Sequence, residues 1–260
     1  MISYKTKEEI DVLRKSGKIL GEILHTVKDM VAPGKSTMDL EKKALELIEK
    51  AGGKPAFKGF LIGRRPFPSA LCLSINDEIV HAPATPTRIL NEGDIVGIDV
   101  GMAYPFENKM LFTDTALSVG VGKIDEDRRK LLEVTKKSLE LGIEQVKPGN
   151  TLNDIGSVIE NYVKASGFSI VRDLVGHGVG HKVHEEPQVP HYKIVDNSLD
   201  NIKLKPGLVI AIEPMVNIGG SGVAVGDDGF TFKTADGSLS AQFEHSIAVT
   251  EEGHIVLTAL

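Results

Sequence analysis

The sequence has little of what would mark a secreted, membrane-bound or nucleic-acid-binding protein. Tryptophan is absent, and the one cysteine, Cys72, excludes an internal disulfide and favours a reducing compartment. No apolar run is long enough to span a membrane, and residues 1–9 lack the apolar stretch of a signal peptide. The net charge of −6 disfavours nucleic acid or an anionic membrane as the main partner. We therefore expect a cytoplasmic protein that requires neither.

What the sequence does contain is an order of helices and strands that occurs twice. A capping box formed by Thr6 and Glu9 begins the first helical pattern, which is expected to end near residues 32–34. Further helices are predicted over 37–51, 127–146 and 152–166, and strands over 70–76, 94–102 and 113–119. A chain of 260 residues, 41% of them hydrophobic, can form one domain covering 1–260.

A weak internal repeat relates the two halves of the chain. Residues 31–34 (Val-Ala-Pro-Gly) match 146–149 (Val-Lys-Pro-Gly) at an offset of 115, and residues 93–99 match 207–213 at an offset of 114. Two blocks at nearly one offset indicate two similar α/β halves, roughly 6–120 and 125–255. We predict an α+β fold in which these halves are related by a pseudo-two-fold axis, each with two helices on a mostly antiparallel sheet.

Three acidic residues lie where apolar, strand-like runs predict burial. Asp99 follows Ile-Val-Gly-Ile, Glu213 ends the run Leu-Val-Ile-Ala-Ile, and Glu244 lies between Phe243 and a second apolar stretch. An ionised carboxylate in such a place costs several kcal/mol unless a cation or hydrogen-bond donors compensate. A cation shared by acids from separate segments is the simplest compensation, and it predicts a metal-dependent enzyme.

Asp99 and Asp114 are the acids of the first half. Asp99 shares a strand face with Gly97 and Gly101, which would leave room for a ligand. A single such acid is more often an exposed strand residue. The acid at the equivalent position of the second half, Glu213, favours a ligand-binding site instead. Asp114 would lie beside Asp99 if the chain between them forms a hairpin; alone it would be an acid of a turn or edge.

His177 completes a candidate ligand set of four carboxylates and one imidazole. The glycines around it oppose a helix, so the segment is neither a zinc-binding helix nor a phosphate loop. A lone histidine is more often structural, but an imidazole on a tight glycine turn suits a metal. With Asp99, Asp114, Glu213 and Glu244, it favours Mn, Fe(II), Co or Mg over structural zinc. The number of acids suits two ions about 3.5–4 Å apart that share a water.

Seven short motifs occur in order along nearly the whole chain. They are Ser74-Ile75-Asn76-Asp77 with His81, Gly97-Ile98-Asp99-Val100-Gly101, Thr113-Asp114-Thr115, Gly176-His177-Gly178-Val179-Gly180, His184-Glu185-Glu186-Pro187, Ile212-Glu213-Pro214-Met215 and Ser240-Ala241-Gln242-Phe243-Glu244-His245. Together they resemble the methionine aminopeptidase family, type I, of the pita-bread fold. The resemblance implies a central, curved sheet covered by helices.

The resemblance also implies a role for each candidate ligand. Asp99 would chelate one metal, His177 and Glu213 the other, and Asp114 and Glu244 would bridge the pair. The cofactors implied are two divalent ions, with Mn, Fe(II) or Co expected.

The implied activity is removal of the initiator methionine from nascent polypeptides, favoured by a small second residue. A hydroxide that bridges the two ions would attack the first peptide bond. Glu213 would move the proton from the water to the leaving amine, while His81 and His184 would hydrogen-bond the substrate amide and the tetrahedral intermediate. The partners implied are N-termini of nascent polypeptides, including those at the ribosome, and we expect a monomer.

The methionine pocket is predicted from fewer residues. Cys72 and Phe67 align with positions that line this pocket in the family, and a thiol and an aromatic ring suit a thioether; ordinary core packing explains them equally well. Phe230 stands where many relatives have tryptophan. Residues 61–66 and 104–108 look like insertions near the cleft, and His181 receives no role.

Two other functions remain open on the sequence alone. An X-Pro aminopeptidase or dipeptidase would use the same fold and ligands, although such enzymes usually carry a large N-terminal domain and here the first repeat block begins at Val31. A non-catalytic protein-binding module of this fold should lack some ligands, and all five are present. A creatinase-like protein would need no metal, so this alternative leaves the acids within apolar runs unexplained.

Overall fold

The four helices predicted from the sequence are confirmed. The computed structural model describes residues 1–195 and 201–260. In these residues it contains α1 (Lys7–Lys28), α2 (Thr37–Lys50), α3 (Glu126–Glu144) and α4 (Leu152–Ala165). At the start of α1, the Thr6 hydroxyl accepts from the Glu9 N–H at 3.3 Å and the Glu9 carboxylate accepts from the Thr6 N–H at 2.8 Å, the expected capping box. This helix ends at Lys28, before the Pro33-Gly34 turn.

The strands of the described residues are mostly short and antiparallel. They are β1 (Lys54–Pro55), β2 (Leu61–Ile62), β3 (Arg65–Pro66), β4 (Leu71–Ile75), β5 (Glu78–Val80), β6 (Ile95–Phe106), β7 (Lys109–Gly120), β8 (Ser169–Ile170), β9 (Gly176–Gly178), β10 (Glu185–Val189), β11 (Val209–Ile212), β12 (Met215–Asn217), β13 (Val223–Val225), β14 (Phe232–Thr234), β15 (Ser240–Gln242), β16 (Glu244–Val249) and β17 (His254–Val256).

One curled antiparallel sheet of nine strands forms the centre. Its main path is β1-β6-β7-β16-β11-β9-β10, while β4 pairs with β6 and β17 with β16. The hairpin β6–β7 stays paired from Ile95 with Gly120 to Phe106 with Lys109, so both strands are longer than predicted. The expected insertion at 104–108 extends this hairpin, and Glu107 takes a positive φ of 52° in its turn.

Each pair of helices covers its own part of the sheet. One apolar core joins α1 and α2 to β4 and β6 through side chains such as Leu20, Leu40 and Ile98. A second core joins α3 and α4 to β11 and β16 through side chains such as Leu139 and Ile210. This arrangement is consistent with two similar halves; the single-domain boundaries stay a prediction. No helix in the described residues has the length and apolar character needed to cross a membrane.

Helix α1 packs on the C-terminal segment at a position without a side chain. A Cβ added at Gly17 would lie 2.4 Å from the Leu257 carbonyl oxygen, far inside contact distance, and one at Gly21 would lie 2.6 Å from that of Thr258. The opposing atoms are backbone and cannot rotate away. Close approach therefore fixes α1 against the C-terminal residues that follow β17.

We expect Gly17→Ala to destabilise the protein, although alanine is the better helix former. Helix propensity alone would add about 1 kcal/mol to the free energy of unfolding. The clash with Leu257 should outweigh this gain and give a net loss of about 1–3 kcal/mol. Urea unfolding measures the difference, with Lys18→Ala on the exposed side of α1 as the control. An unchanged or raised stability of Gly17→Ala would contradict the packing described.

Candidate metal centre

Strand register brings three acids of the candidate set together. Asp99 on β6 lies opposite Ala116 on β7, and Ala116 lies opposite Glu244 on β16. Asp114 is two residues from Ala116 on the same strand and therefore points to the same face. Ligand atoms of Asp99, Asp114 and Glu244 lie within 4.8 Å of one another, and all three residues are buried. The hairpin expected between Asp99 and Asp114 is confirmed.

A second group shares Glu244 with the first. Glu213 directly follows β11, and the last paired residue of that strand, Ile212, lies opposite His245. His177 lies on β9, the next strand beyond β11. Ligand atoms of His177, Glu213 and Glu244 also lie within 4.8 Å of one another. The five predicted ligands therefore form one cluster contributed by five strands or strand ends.

Two local expectations about glycines were wrong. The segment around His177 is a short strand and not a tight turn; a Cβ at Gly176 would lie 2.3 Å from the Ala211 carbonyl oxygen, so glycine there permits strands to approach closely. Gly101 does not leave open space beside Asp99 either. A Cβ at Gly101 would lie 2.7 Å from the Phe57 ring, so the missing side chain admits a wall of the cleft and not a ligand.

Three acids of this cluster each have a buried oxygen atom without a hydrogen-bond donor. Oδ1 of Asp99, Oδ1 of Asp114 and Oε1 of Glu244 are inaccessible to solvent and have no hydrogen-bond partner in the described chain. Burying such an acceptor without a partner costs free energy. Oxygen atoms that face one another without donors fit a hard divalent cation. The donor set therefore suits the metal ions that the sequence predicts.

Burial and mutual repulsion disfavour the ionised carboxylates in the metal-free protein. Burial raises the pKa of Asp99 to about 7. Burial, and then the charge of Asp99, raise the pKa values of Asp114 and Glu213. Burial, followed by the charge of Asp114, raises the pKa of Glu244. A divalent cation reverses this preference because it attracts the ionised forms.

His177 is held as a neutral imidazole with one nitrogen available. Burial lowers the pKa of His177 to about 3. Its Nδ1 lies 2.9 Å from the Gly178 carbonyl oxygen, which can only accept, so Nδ1 carries the proton. Nε2 then presents its lone pair 3.5 Å from Glu213 Oε1. A fixed tautomer with a free Nε2 is typical of a histidine metal ligand.

Two residues that position Glu213 were missed by the sequence reasoning. Gln242 Nε2 donates to Glu213 Oε2 at 3.0 Å, and the Glu213 N–H donates to His191 Nε2 at 3.0 Å. Gln242 lies within the last of the seven motifs, which was a usable signal. His191 lies beyond the fourth and fifth motifs, and nothing in the sequence marks it.

The cluster opens into a cleft of about 910 Å³. All nine predicted site residues line it: Phe67, Cys72, His81, Asp99, Asp114, His177, His184, Glu213 and Glu244. The rings of His184 and His177 are 4.4 Å apart at their centres, and His81 takes a positive φ of 60°. A non-glycine residue in that conformation is uncommon and is often held by a functional site. Burial lowers the pKa values of His81, to about 4, and of His184, so both are neutral near pH 7.

His181 belongs to a separate polar cluster near the cleft. Its Nε2 lies 2.8 Å from Glu9 Oε1, and its Nδ1 lies 3.0 Å from the Ser3 hydroxyl. The fully buried Lys5 ammonium donates to Glu185 at 2.5 Å. These contacts fasten the N-terminal segment to the strand that follows His184, so His181 has structural partners in Glu9 and Ser3.

Comparison with known proteins identifies relatives over the full chain. Residues 11–251 match the sequence model of metallopeptidase family M24. The methionine aminopeptidase of Clostridium perfringens is 45% identical over 260 residues and covers 100% of both chains. The crystal structure of methionine aminopeptidase from Thermotoga maritima superposes with a TM-score of 0.92 at 41% identity, covering 100% of both chains. The α+β pita-bread fold predicted from the sequence is confirmed.

A more distant structure shares the fold only. The prolidase from Pyrococcus horikoshii superposes with a TM-score of 0.75 at 22% identity. The match covers 98% of this chain but 63% of the prolidase. Similarity at this level shows the same architecture and does not extend to substrate choice.

Without metal, we expect Asp99→Asn to be more stable than the wild type at about pH 8. The pKa of Asp99 is raised to about 7 in the folded protein, against about 3.9 in an unfolded chain. The folded state therefore binds this proton more tightly, and the wild type loses stability as the pH rises from about 4 to about 7. The free energy of unfolding can fall by at most on the order of 1.4 kcal/mol per pH unit from this one group. Urea unfolding of chelator-treated protein at several pH values measures it.

The exposed Asp11→Asn variant is the control, because Asp11 lies on the outer side of α1. Its stability should track that of the wild type at every pH. With Mn added, the wild type should become more stable than Asp99→Asn, since a neutral amide binds a cation less well than a carboxylate does. A metal-free Asp99→Asn protein that is less stable than the wild type at about pH 8 would contradict the electrostatic account.

Proposed function

Because this chain belongs to metallopeptidase family M24, we propose that it removes N-terminal methionine from polypeptides with two divalent ions and favours a small second residue. Its enzyme class is methionyl aminopeptidase, a hydrolase, and its substrates are N-terminal peptides: the relatives that match it from end to end at 45% and 41% identity carry that name. The observation that supports the metal requirement is the buried carboxylate cluster with partnerless oxygen atoms.

The described residues suit two ion positions that share ligands. Asp99 would hold one ion, His177 and Glu213 would hold the other, and Asp114 and Glu244 would bridge the pair. Ligand atoms of Asp114 also lie within 4.8 Å of those of His177 and His184. Ligand softness narrows the metal to Mn, Fe(II) or Co. Ions in this place would supply a water acidified to hydroxide and would polarise the scissile carbonyl.

Glu213 is the proposed carrier of the proton. Gln242 holds Oε2 of Glu213 by a hydrogen bond of 3.0 Å, which leaves Oε1 turned towards His177 and the cluster. In that position Oε1 can take a proton from water and give it to the leaving amine.

His81 and His184 are the proposed substrate donors. Both are neutral near pH 7 because burial lowers their pKa values, so each offers one N–H and one acceptor nitrogen. His184 packs edge-on against His177, and His81 packs edge-on against Phe232 with ring centres 5.5 Å apart. These ring contacts hold the two imidazoles in the cleft, where their N–H groups would donate to the substrate amide and the tetrahedral intermediate.

An apolar pocket beside the cluster is the proposed methionine site. Phe67, Cys72, Phe57, Val183 and Phe230 form one buried apolar group that borders the cleft. Burial raises the pKa of the Cys72 thiol, so it stays a neutral, polarisable group. Aromatic rings and a thiol make favourable contacts with a thioether. A flexible, unbranched methionine side chain suits such a site.

We also propose a setting for the reaction. Nascent polypeptides in the cytoplasm, including those at the ribosome, would be the substrates, and the enzyme would act as a monomer. Residues 1–260 would form one catalytic domain with an internal repeat over 6–120 and 125–255. Neither nucleic acid nor a membrane is needed for the chemistry.

Peptide hydrolysis with controlled metal content tests the function. We expect Met-Ala-Ser to be cleaved after methionine, with activity lost on chelation and restored by Mn, Fe(II) or Co. We expect no comparable cleavage of Ala-Pro-Ser, because the apolar pocket selects the first side chain and not a proline that follows it. The rate of release of the first amino acid is the readout.

Each rival function has its own outcome in this assay. Preferred cleavage of Ala-Pro-Ser would favour an X-Pro peptidase and contradict the proposal. No hydrolysis of either peptide, by protein shown to be folded and metal-loaded, would favour a binding module. Full activity after complete removal of metal would contradict the metal requirement.

A further inference from the structure

The residues that look like an insertion in the sequence form a hairpin at the mouth of the cleft. Strands β2 and β3 pair Leu61 with Pro66 and Ile62 with Arg65, and the Phe67 N–H donates to the Phe60 carbonyl oxygen at 2.8 Å. We call residues 59–67 the roof hairpin. Its Phe60 and Ile62 line the cleft, while Leu61, on the opposite face, is 63% exposed.

Arg65 fastens the roof hairpin to the loop that precedes β14. Its guanidinium carbon lies 4.4 Å from the centre of the Phe230 ring, within cation–π distance. Its Nη1 donates to the Asp228 carbonyl oxygen at 2.7 Å. A Cβ added at Gly229 would lie 2.8 Å from Nη1, so glycine at that position permits the approach. Arg65 therefore contacts three consecutive residues of the loop.

The roof hairpin also contacts the opposite side of the cleft. The Phe60 ring packs edge-on against His184 with ring centres 5.4 Å apart. Phe230, beneath Arg65, packs edge-on against Phe67 with ring centres 5.6 Å apart. The hairpin thus spans the mouth from the His184 side to the Phe230 side. On the Phe230 side, the hydrogen bond from Arg65 to the Asp228 carbonyl oxygen connects the hairpin to the loop.

Burial distinguishes Phe60 and Ile62 of the roof hairpin from Phe67, which ends the hairpin and belongs to the methionine pocket. Phe67 is 4% and Phe230 is 7% exposed, as expected for a formed pocket, whereas Phe60 is 41% and Ile62 is 40% exposed. Apolar side chains that border a cleft and remain exposed are positioned to contact a bound ligand. They lie further out than the methionine pocket, where the chain of a substrate leaves the cleft.

We propose that Arg65 is a positioning residue that holds the roof hairpin over the cleft, so that Phe60 and Ile62 limit the size of the residue that follows methionine. This inference rests on the proposed aminopeptidase function. With the Arg65 contacts removed, the hairpin is held by its own short ladder and by the ring contacts of Phe60 with His184 and of Phe67 with Phe230. It can then move outward and admit a larger second side chain.

Neighbouring arginines provide a matched pair of variants. Arg64 is also exposed, but it has no hydrogen bond, ion pair or ring contact within 1–195 and 201–260. The measurement is kcat and KM for Met-Ala-Ser and Met-Val-Ser with wild type, Arg65→Ala, Arg65→Lys and Arg64→Ala, at equal metal content. A lost cation–π contact and a lost hydrogen bond together correspond to a change of about tenfold.

We define the preference as kcat/KM for Met-Ala-Ser divided by kcat/KM for Met-Val-Ser. We expect Arg65→Ala to lower this ratio about tenfold, through changes in the KM values of the two peptides. Arg65→Lys keeps the charge but not the planar guanidinium group, so its peptide preference should fall between those of the wild type and Arg65→Ala. The preference of Arg64→Ala should match that of the wild type. Hydrogen exchange supplies a readout independent of activity. Amides of residues 59–67 should exchange faster in Arg65→Ala than in Arg64→Ala, with the melting temperature unchanged.

Two results would overturn the inference. One is an Arg65→Ala enzyme with the peptide preference of Arg64→Ala; the other is unchanged exchange of the hairpin amides. Failure of the proposed function looks different, because the wild type would then cleave neither methionyl peptide while the exchange of the hairpin still responded to Arg65. The two failures are therefore distinguishable.

Discussion

The cleft depends on one electrostatic constraint, which is that buried carboxylates must share a small volume with fewer hydrogen-bond donors than acceptor oxygen atoms. Asp99, Asp114 and Glu244 each leave an oxygen atom without a partner, and burial raises the pKa of every carboxyl group in the cluster. A protein that only had to be stable would replace such a group with apolar side chains. The cluster would become favourable with divalent cations bound, so the same residues that destabilise the metal-free chain would provide the driving force for metal uptake.

The antiparallel sheet satisfies this constraint through register. Asp99, Ala116 and Glu244 lie in one row across three strands, and a small residue in the middle of the row leaves space between the two acids. The helices take no direct part; they cover the other face and provide the apolar cores that hold the register in place. A slip of one residue in any of these strands would turn its ligand to the opposite face. The same strand register is therefore required both for a stable sheet and for the geometry of the site.

Much of this arrangement could be predicted from the sequence because its signals are local. A capping box at Thr6 and apolar periodicity marked the helices, and acids within apolar runs marked the ligands. The expectations that failed concern close contacts between distant segments: the glycines at 101 and 176 admit Phe57 and a neighbouring strand, and not a ligand or a turn. His191 and the Arg65 contact were not found for the same reason, since the atoms that they bind lie 22 and 163 residues away. Metal-ligand roles inferred by resemblance stay predictions.

The most direct measurement is an anomalous difference map from crystals grown with Mn. We expect two peaks per chain, about 3.5–4 Å apart, with one beside Asp99, the other beside His177 and Glu213, and Asp114 and Glu244 in contact with both. A single peak elsewhere, or no peak with the carboxylates turned away from one another, would contradict the claim that the cluster exists to hold two cations.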